Sequence, residues 1–140
     1  MRNRESDKTM GRIASLAFAA FIAVTGTALA APAAYPVFFQ PWSAAIDSNA
    51  ASTIKLAAKA ALADPAAPVV VTGAADTVGS LAANRDIAQT RAQVVSDALV
   101  ADGVPESRIT VVSSGAVAAP GVAPGSYAQF SRRVLIKVGN

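Results

Sequence analysis

Residues Val69 to Leu99 read VVVTGAADTVGSLAANRDIAQTRAQVVSDAL, and this stretch decides the fold. Its β-branched opening, Val69-Val70-Val71-Thr72, reads as a buried strand. A turn from Gly73 to Gly79 follows, and a helical pattern starts at about Leu81. At 100° per residue, Asn84, Ile87, Ala88, Arg91, Val94, Val95, Ala98 and Leu99 share one face. Arg85, Asp86, Gln89, Gln93, Ser96 and Asp97 take the opposite one. Asn84 and Arg91 thus stand inside the apolar stripe, where a charge costs free energy unless it meets a partner. That misfit marks the candidate site.

Working outward, Gly103 is placed to stop this helix. A turn at Pro105-Glu106-Ser107 leads into a strand from Ile109 to Val112. Ser113 to Ser126 is rich in Gly, Pro and Ala and reads as a loop. Arg132 and Arg133 introduce a closing strand, Val134 to Val138. On the other side, Tyr35 to Phe39 reads as a first strand with Pro36 at its beginning. Gln40-Pro41-Trp42-Ser43 ends it in a loop. A helix then starts from Asp47 or Ser48 as N-cap and buries Ala50, Ile54, Ala57, Ala58, Ala61 and Leu62. Asp64-Pro65 stops it. The order is β-α-β-α-β-β. It predicts an α+β two-layer sandwich, a small mixed sheet with two main helices on one face.

The chain has 140 residues, enough for one domain of about 100 residues with an appendage. Residues 1–12 hold four of the twelve Lys and Arg and two of the nine Asp and Glu, leaving eight and seven. The remainder is nearly neutral and lacks the clustered basic face of a nucleic-acid binder. With no Cys and no His, disulfides, thiol nucleophiles, the usual zinc sites and imidazole bases are all excluded. The basic start, the apolar run Ile13 to Val24 and the small residues Ala28-Leu29-Ala30 form a signal-peptide pattern over residues 1–30. Cleavage is expected after Ala30. Retention as a membrane anchor is the other reading, and either way the domain is exported. Residues 31–36 read as a spacer, and 37–140 as the domain.

Asp76, Gly79, Asn84, Ile87, Arg91-Ala92, Val95, Leu99 and Gly103 resemble the T-D-x-x-G and N-x-x-L-S-x-x-R-A-x-x-V-x-x-x-L segments of the OmpA-like domain family. Arg132-Arg133-Val134 resembles that family's closing N-R-R-V. The resemblance spans about Val37 to Val138. It implies a non-catalytic module of the Gram-negative periplasm that binds peptidoglycan through the diaminopimelate of the stem peptide, with no cofactor. It places the family's acid on Asp76, its helix arginine on Arg91, its pocket asparagine on Asn84 and its terminal arginine on Arg132. The sequence departs from the pattern at Ala74-Ala75, where the family has His-Thr, and at Gln40-Pro41-Trp42, where it has carboxylates. Ala88 replaces a serine, and Ser131 an asparagine.

The residue types suit the task. The ligand end carries an ammonium and a carboxylate on one carbon. Asp76 can take the first, and Arg91, 15 residues later, offers a planar fork to the second. Side chains on a helix lean toward its N-terminus, which aims Arg91 at the Asp76 turn. Gly79 permits close backbone approach, and the free N–H groups at the helix start favour an anion. A structural reading stands beside this one: Asp76 and Arg91 pair with each other, and Asn84 satisfies the turn backbone. Trp42 and Tyr127 have two readings, lining the groove or, as a lone loop aromatic more often does, packing on the core. Two other functions compete: a degenerate member acting as a protein-interaction or structural module, and a small hydrolase. The hydrolase ranks last, since the acids sit at caps or on solvated helix faces.

Overall fold

The computed structural model describes residues 31–140. It runs β1 (Ala33–Phe38), α1 (Ser48–Ala63), β2 (Val69–Ala75), α2 (Leu81–Ala101), β3 (Ile109–Ala116) and β4 (Arg133–Val138). The strands form one sheet in the order β1-β4-β2-β3, with β2 parallel to β3 and β4 antiparallel to both β1 and β2. Both helices pack on one face of this mixed sheet, as the element order predicts. Val37, Val69, Val71, Val134, Ile136 and Val138 supply the sheet side of the core. Ile54, Ala57, Ala61, Ala92, Val95 and Leu99 supply the helix side. The segment read as an export signal lies outside the described residues. Among the described residues no helix is long and apolar enough to cross a membrane.

At Gly73 strand β2 lies directly against α2. A Cβ there would stand 2.0 Å from the carbonyl oxygen of Ala88 and 3.0 Å from Ala92 Cβ. Only glycine on β2 and alanine on α2 allow that approach, so the small residues of both elements serve a single packing geometry. Helix α2 is capped by Ser80, whose hydroxyl accepts from the Ala83 N–H at 3.1 Å. Beyond its end Gly103 adopts φ 102°, and the Val104 N–H returns to the Leu99 carbonyl at 3.0 Å. Asp47 caps α1 by accepting from the Ala50 N–H at 2.8 Å.

Several expectations need correction. Strand β1 starts at Ala33, inside the segment read as spacer, and Pro36 sits in its middle. It is tolerated because β1 is the sheet's outer strand, with one neighbour only. Strand β3 runs to Ala116, four residues further than its composition suggests, because the parallel pairing with β2 continues past a register shift at Gly73/Ala75. Short 3-10 turns occupy Glu106–Arg108 and Gln129–Ser131. Leu62, expected in the core, is exposed; Ser96, expected on the polar face of α2, is buried. The buried sector of α2 is therefore wider than the hydrophobic pattern indicates, because β2 and β3 both press against it.

Candidate functional site

At the C-terminal end of β2 the chain leaves the sheet and Asp76 begins the turn into α2. Its Oδ1 accepts from the Val78 N–H at 3.2 Å, and its Oδ2 from the Ala128 N–H at 3.3 Å. Oδ2 also accepts from Nη1 of Arg132 at 3.0 Å, the one salt bridge among the described residues. Arg132 reaches this point from the residue just before β4, and its Nε donates to the Phe39 carbonyl at 3.2 Å. Arg133, next in sequence, turns away and meets the Phe130 carbonyl. The two neighbouring arginines thus part company, and Arg132 is the one facing the acid.

Arg91 enters from α2, as the helical pattern requires. Its Nε donates to the Ser43 carbonyl at 2.8 Å, Nη2 to Gln40 at 3.0 Å and Nη1 to Ala74 at 3.2 Å. The guanidinium also lies over the Phe39 ring, 5.3 Å from its centroid. Arg91 and Asp76 therefore do not bind one another, and the simple structural pairing is not what this chain uses. Three of the five guanidinium N–H groups are engaged and two remain. Burial pushes Arg91 down to about 10, Arg132 adds to that, and Asp76 opposes it. It is still a cation at neutral pH, and its desolvation is a standing cost to the fold.

Asp76, Arg91 and Arg132 are 5%, 1% and 8% exposed. Together they place two positive charges and one negative charge in a buried region. With Asn84, Ala75 and Ile87 they line a narrow cleft of about 10 Å³, walled by Pro41, Trp42 and Tyr127. The Asn84 side-chain nitrogen is buried there without a hydrogen-bond partner, a condition that normally costs about 1–3 kcal/mol. Asp76, Asn84, Arg91 and Arg132 are thus brought together. Gly79 is not: at φ 90° it lies beneath the indole of Trp42, and a Cβ there would be 2.6 Å from the ring.

The aromatic residues take the groove position rather than the core one. Trp42 is 49% exposed and Tyr127 60%, and both border the cleft rather than pack into the core. Gln40 to Ser43 form a four-residue turn, closed by the Ser43 N–H on the Gln40 carbonyl at 3.2 Å. Pro41 takes its second position and Trp42 its third, at φ 51°. A type II turn asks for glycine there. The proline was legible as a turn signal, but the letters leave open whether the residue after it lines the cleft or packs on the core.

A profile described as the OmpA family matches residues 38–132. The chain belongs to the OmpA family. Among solved structures, the peptidoglycan-associated lipoprotein from Burkholderia pseudomallei is 27% identical with a TM-score of 0.65, covering 74% of this chain and 89% of that one. The periplasmic domain of Helicobacter pylori MotB (residues 90-256) is 20% identical with a TM-score of 0.61, covering 78% of this chain and 74% of that one. The OmpA-like domain of FopA1 from Francisella tularensis subsp. tularensis SCHU S4 is 18% identical with a TM-score of 0.61, covering 75% and 70%. The last two show the shared fold. None of the curated proteins matches this OmpA-family chain in sequence.

Proposed function

We propose that this OmpA-family chain binds peptidoglycan without catalysis, gripping the diaminopimelate of the stem peptide in the cleft of Asp76, Asn84, Arg91 and Arg132. One observation carries the reading: a buried cleft holds one positive charge more than its own carboxylate balances, beside an unpartnered amide nitrogen. A ligand carboxylate supplies what is missing. It takes the two spare N–H groups of Arg91 and the Asn84 amide, each charge-assisted bond contributing about 1.5–3 kcal/mol. The ligand ammonium takes the remaining acceptor site on Asp76 Oδ1, which its backbone bond leaves open. A solved neighbour named as a peptidoglycan-associated lipoprotein supports the same ligand class, and the MotB periplasmic domain supports an envelope location. Repeated stem peptides on the wall would turn a modest single-site affinity into firm retention.

The test is co-sedimentation of the purified protein with isolated sacculi. The protein should pellet with them, and Asp76→Ala or Arg91→Ala should remove it to the supernatant while retaining a cooperative melt. Sacculi whose stem peptides carry lysine in place of diaminopimelate offer an ammonium without the second carboxylate and should retain little protein. For export, we propose cleavage after Ala30, so mass spectrometry of the exported protein should find Ala31 at its N-terminus; an intact Met1 in a membrane fraction would instead mean an anchor. A second reading, a protein-interaction module on the same fold, draws on Phe38 and Phe130, an exposed edge-to-face pair 6.0 Å apart. Unchanged sedimentation of both site variants would favour it.

A further inference from the structure

Trp42 is the only non-glycine residue with positive φ among the described residues. Nothing in the core accounts for that strain. The side chain lies outside the hydrophobic cluster, half of it faces solvent, and its close neighbour is the bare backbone of Gly79. What fixes the residue is Arg91, whose Nη2 and Nε hold the carbonyls of Gln40 and Ser43 on either side of it. The turn that carries the indole is thus fastened directly to the cleft's cation. Tyr127 borders the same opening. The cleft therefore has a charged floor and an aromatic rim, which fits a ligand with a zwitterionic head on an apolar stem.

We propose that Trp42 is a ligand-contacting residue whose indole packs against the methylene stem of the amino acid whose charged head enters between Asp76 and Arg91. The proposal rests on the peptidoglycan reading above and adds the apolar half of the recognition. An amino acid with the same zwitterionic carbon on a shorter or branched side chain would reach the charges but miss the ring. Backbone strain retained at an exposed aromatic residue is accounted for by this contact.

Trp42 is the single tryptophan of the chain, so its emission reports on the cleft alone. Titrating the full chain with a stem tripeptide ending in meso-diaminopimelate should shift that emission to shorter wavelength and reduce its quenching by acrylamide. Trp42→Gly suits the turn's backbone, so its melt should match the parent's while calorimetry shows at least tenfold weaker binding. Trp42→Phe should recover most of the loss. Unchanged emission and quenching at saturation, or Trp42→Gly binding within twofold of the parent, would overturn the proposal. If the parent binds and Arg91→Ala does not, such a result removes only the role of Trp42. If the parent binds neither the tripeptide nor sacculi, the peptidoglycan reading falls and takes this proposal with it.

Discussion

Arg91 and Arg108 hold the backbone in the same manner, yet their surroundings differ. Each donates to three carbonyl oxygens: Arg91 to those of Gln40, Ser43 and Ala74, Arg108 to those of Ala61, Asp64 and Ala67. Those around Arg108 belong to the last turn of α1 and the segment after it, where a helix leaves its carbonyls unsatisfied and its dipole favours a cation. That arginine has a complete structural explanation. Arg91 serves a loop and a strand end, lies deeper, and shares its cleft with a second guanidinium, Arg132, and a single acid, Asp76. The contrast separates an arginine whose environment is finished from one that keeps two N–H groups unused beside the unpartnered Asn84 nitrogen.

The contrast can be broken or sharpened by substitution. Asp76→Ala should act most strongly, since it leaves Arg132 and Arg91 buried together without an anion. A loss of about 3–5 kcal/mol by denaturant titration is expected, with sacculus binding abolished. Arg91→Ala should cost about 3 kcal/mol, because it strands three carbonyls while relieving the buried charge, and it too should abolish binding. Gly73→Ala should cost about 2–3 kcal/mol by pushing α2 off β2. Sacculus binding should weaken with it, although residue 73 is not part of the cleft. Arg108→Ala should cost about 1–2 kcal/mol and leave sedimentation with sacculi unchanged. If Arg108→Ala lost binding as Arg91→Ala does, the distinction between the two arginines would collapse. Trp42→Gly should stay within about 1 kcal/mol of the parent, the relieved strain offsetting the lost contact.

The element order could be read from the letters because each element carries its own signal. The β-branched runs, the cap at Asp47 and the stop at Gly103 are local chemistry. Arg91 was legible as a misfit in an apolar stripe, and Asp76 and Arg132 through their resemblance to a known pattern. What escaped was everything decided by tertiary contact. Ser96 looks polar in the letters, yet the packed helix buries it. Ser113 to Ala116 look like loop until β2 offers them a parallel partner. Trp42 reads as either a core or a groove aromatic until its turn is held by an arginine 49 residues away. Arg108 gave no signal at all, since helix-end carbonyls are not visible as letters.

The close approach of Gly73 to Ala88 has a consequence for selectivity. Asp76 comes three residues after the glycine along the chain, and Arg91 three residues after the alanine. One backbone contact therefore works as a spacer gauge for the acid and the cation, so their separation is built in before any guest arrives. A preset gap of this kind lowers the ordering entropy lost on association. On the proposed reading it would also make the pocket unforgiving, because a guest with its two charges differently spaced would find no give in the walls.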